Sequence, residues 1–172
     1  MALILTFSVL LGGCSSLYEH HGYGELARSQ RIDGKPATPV TLPANAPSIT
    51  QRYRPAPIAS GQGGHNGVDL FLPVGTPILA AADGVVRTVQ LSVLYGNQIF
   101  VDHGVDEWGD TIQTRYFHLD ETRVEEGASV SRGQQIGNSG VTGIYAMFPH
   151  LHFEVRVNGA VGSDAFNLEE TP

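Results

Sequence analysis

The chain has 172 residues, a formal net charge of −7, seven histidines and one cysteine. A chain of this length builds one hydrophobic core rather than two. The acidic balance argues against a nucleic-acid partner, which would call for a basic patch, and the single cysteine excludes an internal disulfide and a Cys-rich zinc site. Glycine makes up about 12% of the chain (21 residues), against ~7% on average, which predicts short strands and tight turns.

An apolar run, Ala2–Leu11, precedes the only cysteine, Cys14. The run is about half of the ~20 residues that a membrane-spanning helix needs, but it suits the apolar core of a signal peptide. The sequence Leu11–Cys14 (LGGC) resembles the lipobox of bacterial lipoproteins. The resemblance implies a signal peptide over residues 1–13 and a lipid anchor at Cys14. In a Gram-negative host, Ser15 then favours the periplasmic face of the outer membrane. The alternative is an inert buried cysteine.

Residues 14–48 are predicted to form a proline-rich tether. Prolines recur there every three or four residues, at Pro36, Pro39, Pro43 and Pro47. This spacing favours an extended polyproline II conformation, and no periodic apolar pattern accompanies it. The adjacent His20 and His21 are therefore expected to be solvated. A single folded domain is predicted over residues 49–172.

The pattern after Ile49 is one of short strands separated by glycine turns. Strands are predicted over residues 68–72, 78–82, 84–89, 98–102, 111–119 and 151–157. Asp83-Gly84 and Asn158-Gly159 are turn pairs typical of hairpins, and the strand at 98–102 is expected to stop at His103-Gly104. No stretch has a helical period. The predicted fold class is mostly β, an antiparallel β-sheet domain with glycine-rich turns after an extended tether.

His65 and Asp69 form the first candidate site element. Gly67 and the strand that follows argue against a helix, so His65 is expected in a loop and Asp69 on a strand. An imidazole and a carboxylate are both acceptable zinc ligands. On its own, this pair is a weak indication because the spacing is common.

The second element is His150-Leu151-His152. Residues two apart on a strand face the same side, so both imidazoles could share a site while Leu151 and Phe153 face the core. The alternative is two half-exposed strand histidines. A further histidine, His118, lies in an aromatic strand, where a structural role is the simpler interpretation.

The combination is more informative than any single element. His65, Asp69 and one of His150 or His152 would give three protein ligands and an open fourth position, which is the arrangement of a catalytic zinc. The remaining two histidines, His118 among them, could then activate water and stabilise a developing oxyanion. Spacing alone does not choose between His150 and His152.

Several segments carry a likeness to a known family. They are 64–69 (GHNGVD), 73–77 (PVGTP), 80–86 (AAADGVV), 95–97 (YGN), 116–119 (YFHL), 133–137 (GQQIG) and 149–155 (PHLHFEV). In this order they resemble the M23 family of metalloendopeptidases, also called LytM or lysostaphin-type peptidases. The resemblance implies the lysostaphin-type fold and a zinc enzyme that hydrolyses peptide bonds in the peptidoglycan of bacterial walls.

The resemblance also assigns roles by position. It makes His65, Asp69 and His152 the ligands of one zinc ion, and it makes His118 and His150 the catalytic histidines.

Other residues are placed less firmly. His103 matches a common family residue outside the ligand positions, and a structural role is expected for it. Glu154 is either an acceptor that supports His152 or an exposed strand carboxylate. The chain departs from the family at 143–148, which would border the substrate groove, and at 49–54 and 165–168.

Two classes of function remain open. The first is a lipid-anchored zinc endopeptidase of the cell envelope that cuts stem peptides or cross-bridges of peptidoglycan. The alternative is a non-catalytic LytM-type factor that activates another wall hydrolase, with a plain wall-binding module as a third reading. All five metal and catalytic residues are present, which favours the enzyme because degenerate members lack one or more of them. A regulatory protein partner is compatible with either class.

Overall fold

The computed structural model describes residues 49–51, 64–106 and 109–161. These residues form ten β-strands and no helix, which confirms the predicted mostly antiparallel β fold. No helix long and apolar enough to cross a membrane occurs within the described ranges. The strands are β1 (Ile49–Gln51), β2 (Val68–Phe71), β3 (Pro77–Leu79), β4 (Gly84–Ser92), β5 (Gly96–Val105), β6 (Thr111–Thr122), β7 (Ser129–Val130), β8 (Gln135–Ser139), β9 (His150–Val157) and β10 (Ala160–Val161).

The strands form one antiparallel sheet in the order β1-β2-β9-β6-β5-β4-β7. Strand β8 joins β3 to the end of β6, and β10 pairs with the end of β9. Strand β9 therefore lies between β2 and β6. This position matters for the site, because three strands that carry candidate residues are hydrogen-bonded neighbours.

Alternation along β9 separates the core from the site. Leu151, Phe153 and Val155 are buried in the hydrophobic core. Burial of each such side chain stabilises the fold by roughly 1.5–3 kcal/mol. His150 and His152 lie on the other face, as the two-residue period predicts. The core packing of one face thus fixes the direction of the histidines on the other.

The predicted hairpin at Asp83-Gly84 is wrong. Strand β3 pairs with β8, whereas β4 pairs with β5 and β7. A two-residue type I′ hairpin needs positive φ at both central residues, and neither Asp83 nor Gly84 has one. Gly84 serves a different purpose, because a Cβ there would lie 2.4 Å from the carbonyl oxygen of Asp102. The glycine permits close approach of two strands rather than a reversal.

Strand β5 also differs from its prediction. It continues past His103-Gly104 to Val105, with an irregular register between Asp102 and Val105. Gly104 has a φ of 82°, so it absorbs the irregularity without ending the strand. The predicted Asn158-Gly159 turn is confirmed: φ is positive at both residues, and the turn joins β9 to β10.

Several predictions concern parts of the chain outside the described residues. They are the signal peptide (1–13), the anchor at Cys14, the tether (14–48) with His20 and His21, and the segment 165–168.

Candidate metal centre and active site

His65, Asp69 and His152 converge on one point. Asp69 on β2 lies directly opposite His152 on β9, and His65 reaches them from the loop before β2. Asp69 Oδ1 lies 2.8 Å from His152 Nδ1 and 3.1 Å from His65 Nε2. His65 Nε2 and His152 Nδ1 are also 3.1 Å apart. These are the three residues that the family resemblance implied as ligands, and they form a group able to hold a metal ion.

The three atoms fit a zinc ion. Bonds of ~2.0–2.1 Å in a tetrahedral site place neighbouring ligand atoms roughly 3.3 Å apart, and the observed separations of 2.8–3.1 Å are close to that value. Two imidazole nitrogens and one carboxylate oxygen are ligands that zinc accepts, and three protein ligands leave a fourth position for water or substrate.

The charges of Asp69 and His152 depend on each other. Burial opposes ionisation of Asp69, but hydrogen bonds from His152 and His65 outweigh it and hold the pKa of that carboxyl well below its usual range. Burial likewise opposes the charged form of His152, yet hydrogen bonds to Asp69 and Glu154 raise the pKa of the imidazole to about 9. A metal ion at this point must therefore displace a proton from His152.

His150 is buried beside the three residues but is oriented differently. Its Nδ1–H donates to the carbonyl oxygen of Phe148 at 2.7 Å. Its Nε2 lies 3.8 Å from Asp69 Oδ1. The backbone hydrogen bond fixes the tautomer, so Nε2 is the atom that His150 presents at the candidate centre.

A β-bulge brings His118 to the same face. Asn97 of β5 pairs with Leu119 of β6, while Ile99 pairs with Tyr116. Strand β6 thus carries one extra residue between these pairs, and His118 has a φ of 61°. In a regular strand His118 would face the core side with Tyr116. The bulge re-aims its ring toward the histidines of β9 instead, as bulges near active sites do.

The ring of His118 is held much as that of His150 is. His118 Nδ1–H donates to the carbonyl oxygen of Thr142 at 2.8 Å, and the ring centre lies 4.7 Å from that of His150. Burial lowers the pKa of His118 to about 4, against the opposing effects of the Thr142 carbonyl and Asp69. His118 is therefore neutral at pH 7, with Nε2 as an acceptor.

Thr142 was not found from the sequence, although it fastens the bulge. Its Oγ1 donates to the carbonyl oxygen of Leu119 at 2.7 Å and accepts from the backbone N–H of Asn97 at 3.1 Å. Close approach requires a glycine at position 96, because a Cβ on Gly96 would lie 2.0 Å from Thr142 Oγ1. The groups that hold His118 and His150 are backbone carbonyls. Every residue has one, so these contacts cannot be predicted from residue types.

Glu154 is buried rather than exposed, which decides between the two expectations for it. Only 4% of the residue is accessible, and Oε1 lies 3.3 Å from His152 Nε2. The strand period does place Glu154 on the face of His152, so a sequence signal existed. His152 thus has one ring nitrogen at the candidate centre and the other at a carboxylate.

The loop at 143–148, where the chain departs from the family pattern, lies next to the candidate centre. Tyr145 N–H donates to the carbonyl oxygen of Leu94, and its ring packs against Tyr95 at 5.4 Å. The Phe148 ring lies 5.0 Å from that of His150. Met147 is 89% exposed. Several apolar side chains of this loop are therefore exposed beside the candidate centre.

His103 lies outside this group, as expected. Its Nδ1 bonds to the carbonyl oxygen of Asp83 and its Nε2 to Thr114 Oγ1, both at 2.7 Å. Both ring nitrogens are used by the protein itself. Among the described residues, the structure brings together all five residues to which the resemblance gave a role. His103 lies apart from them and links Asp83 to Thr114.

Comparisons with known proteins identify the family. Residues 63–163 match the model of Peptidase family M23. The chain is 42% identical over 103 residues to the peptidoglycan DD-endopeptidase ShyA of Vibrio cholerae, a match that covers 60% of this chain and 23% of that protein. The chain spans about a quarter of the length of the curated relatives it matches.

Solved structures give the same picture. A zinc-containing peptidase from Vibrio cholerae superposes with a TM-score of 0.63 and 33% identity, covering 78% of this chain and 40% of that one. The catalytic domain of lysostaphin from Staphylococcus simulans superposes with a TM-score of 0.55 and 36% identity, covering 69% of this chain and 85% of that one.

Proposed function

Because the chain belongs to peptidase family M23, we propose that it is a zinc-dependent endopeptidase that hydrolyses peptide cross-links of bacterial peptidoglycan. The observation that carries the proposal is the meeting of His65 Nε2, Asp69 Oδ1 and His152 Nδ1 within 3.1 Å of one another. The names of relatives, such as the DD-endopeptidase of Vibrio cholerae, support the substrate class.

The proposed roles follow from which atoms each residue presents. His65, Asp69 and His152 would hold one zinc ion, which supplies Lewis acidity and activates water near neutral pH. His118 and His150 each have Nδ1–H tied to a backbone carbonyl. Their Nε2 atoms are therefore left to accept a proton from the attacking water and to return one to the leaving amine. The histidine that then holds the proton stabilises the oxyanion of the scissile carbonyl.

The alternative of a non-catalytic activator receives less support. Such a protein needs the shape of the domain but not two adjacent histidines, with ring centres 4.7 Å apart, that are each held through Nδ1 by a backbone carbonyl. The backbone of His118 supports the same conclusion. Its φ of 61° lies in the left-handed region, which costs a non-glycine residue conformational free energy. A non-catalytic role would not require a histidine in this strained conformation at position 118.

Digestion of purified peptidoglycan tests the proposal. We expect the chain to hydrolyse cross-links in walls joined through diaminopimelate or through glycine bridges, so that cross-linked fragments are converted to un-cross-linked ones, with mass analysis identifying the bond. The His118→Ala variant and chelator-treated protein should leave the cross-links intact, and added zinc should restore hydrolysis only to the latter. If both wall types remain intact with zinc-loaded protein, yet a partner hydrolase is stimulated, the activator is correct.

We also propose that Cys14 anchors the protein to a membrane of the cell envelope, on the basis of the Leu11–Cys14 sequence. In a Gram-negative host this would be the periplasmic face of the outer membrane. Cys14→Ser should move the protein from the membrane fraction to the soluble fraction, whereas Ser16→Ala should not. Continued membrane association of the Cys14→Ser variant would contradict the anchor.

A further inference from the structure

Three residues on one face of β9 form a continuous polar contact that begins at the candidate centre. His152, Glu154 and Arg156 alternate with the core residues, so their side chains share a face. His152 Nε2 lies 3.3 Å from Glu154 Oε1. Glu154 Oε2 accepts from Arg156 Nε at 2.8 Å and from Arg156 Nη2 at 2.7 Å. Each carboxylate oxygen thus has its own partner.

The burial of Glu154 makes the arginine necessary. A carboxylate with only 4% exposure is costly unless it is paired and hydrogen-bonded. The fork of Arg156 supplies two charge-assisted hydrogen bonds to Oε2, which compensate the charge of the buried carboxylate and hold that oxygen in place. The other oxygen is then directed at His152.

A second arginine lies nearby but is used differently. Arg115 is opposite Glu154 in the β6–β9 register. Its Nε donates to Gln113 Oε1 at 2.6 Å, and its guanidinium lies over the ring of Phe100 at 4.5 Å. Arg156 is therefore the guanidinium that orients Glu154.

We propose that Arg156 is a positioning residue of the metal centre, which acts through Glu154 on the imidazole of His152. With Glu154 Oε1 accepting the Nε2–H, the lone pair of His152 Nδ1 is directed at the point shared with His65 and Asp69. Partners of this kind, beyond the ligands, orient a metal-bound histidine and raise its basicity. The inference rests on the proposed zinc function and adds to it a residue that touches neither metal nor substrate.

This role is tested by measuring the zinc affinity of the full-length chain. The protein is purified in detergent and titrated with zinc in competition with a chromogenic chelator. Arg156→Met should weaken zinc binding about tenfold, the lower end of the effect of removing such partners. Arg156→Lys, which keeps the charge but not the fork, should restore part of the loss. Arg123→Met is the matched control, because Arg123 pairs with Glu121 at 2.9 Å on the exposed surface, and it should leave zinc affinity within about twofold.

A second variant separates positioning from general loss of structure. In a Glu154→Gln background, Arg156→Met should weaken zinc binding no further, because the residue through which it acts is already altered. The NMR signal of the His152 Nε2–H in the zinc-loaded protein should be sharp in the wild type and in Arg123→Met, and broadened by exchange with water in Arg156→Met.

The results distinguish two kinds of failure. If the wild-type chain binds no zinc, the proposed function is wrong. If the wild type binds zinc and Arg156→Met binds it equally well, or if its loss is undiminished in the Glu154→Gln background, the role of Arg156 is wrong while the proposed function stands. Should Arg156→Met fail to fold, Arg156→Lys decides by the same comparison.

Discussion

The histidines of the sheet differ in how many of their ring nitrogens the protein itself hydrogen-bonds. His103 on β5 bonds through both ring nitrogens, to the Asp83 carbonyl and to Thr114 Oγ1. His118 and His150 instead bond to the backbone through Nδ1. His103 therefore has a structural role, because both of its ring nitrogens are hydrogen-bonded within the protein. In His118 and His150 the hydrogen bond at Nδ1 orients the ring, and Nε2 is the atom proposed to transfer protons.

Burial does not explain this difference. Burial lowers the pKa of His103 as well as that of His118, so it favours the neutral form of both. What differs is the number of ring nitrogens that neighbouring groups occupy. A buried histidine is thus a candidate for catalysis when one nitrogen is fixed by the backbone and the other faces a group of ligands. Substitutions at the candidate ligands, at His118 and at His103 should separate these two uses of histidine.

The largest effect is expected from Asp69→Asn. It removes the only carboxylate of the three candidate ligands, so we expect zinc affinity to fall by about 100-fold or more, beyond the effect of outer partners, and hydrolysis to be lost. Metal analysis after dialysis and digestion of peptidoglycan measure both. Asp120→Asn, at an exposed position, should behave as the wild type. Full zinc content in Asp69→Asn would show that the metal binds elsewhere.

The next largest effect concerns His118→Ala. Loss of a general acid or base lowers the rate by roughly 10²–10⁴-fold, while zinc content should remain at one ion per chain because no ligand is removed. Turnover of a cross-linked peptide and metal analysis give the two values. Loss of zinc from this variant would mean that His118 is a ligand and that the division of roles is incorrect.

The dependence of zinc binding on pH should be intermediate in size. Without metal, His152 carries a proton because its pKa is raised to about 9, whereas Asp69 stays ionised. Zinc must displace that proton, so affinity should rise by about tenfold from pH 7 to pH 8. Chelator competition in buffers across this range checks the slope. An affinity that does not change with pH would contradict a charged His152 in the metal-free protein.

The smallest effect is expected from His103→Ala. This change removes the hydrogen bonds of His103 to the Asp83 carbonyl and the Thr114 hydroxyl, which should lower the free energy of unfolding by about 1–2 kcal/mol. Urea denaturation measures the loss. Zinc content and the rate of hydrolysis should stay within about twofold of the wild type. If hydrolysis is lost while the free energy of unfolding and the zinc content are unchanged, His103 takes part in catalysis and its assigned structural role is wrong.

The contrast also shows what sequence patterns can predict. The alternation of β9 and the Asn158-Gly159 turn are local, and they correctly placed His150, His152 and the core residues between them. The bulge at His118 is not local, because it depends on the register between β5 and β6 and on the fastening by Thr142. Histidine is somewhat enriched at positive φ, but the residue type alone does not specify a bulge at this position.

Turn dipeptides were similarly ambiguous. Asp83-Gly84 has the composition of a hairpin, yet the glycine is needed because its Cα approaches the Asp102 carbonyl. The same residue type satisfies two physical demands, and only the packing of neighbouring strands distinguishes them. The choice of His152 over His150 as ligand likewise came from the family resemblance. The structure supplies a reason: His152 Nδ1 lies 2.8 Å from Asp69 Oδ1, whereas His150 Nε2 lies 3.8 Å from the same oxygen.

The most direct test of the central proposal is a crystal structure of the zinc-loaded protein with anomalous data collected at the zinc edge. We predict one zinc ion about 2.0–2.2 Å from His65 Nε2, Asp69 Oδ1 and His152 Nδ1, with Nε2 of His118 and His150 facing its open position. A peak at another place, or coordination by His150 instead of His152, would contradict it.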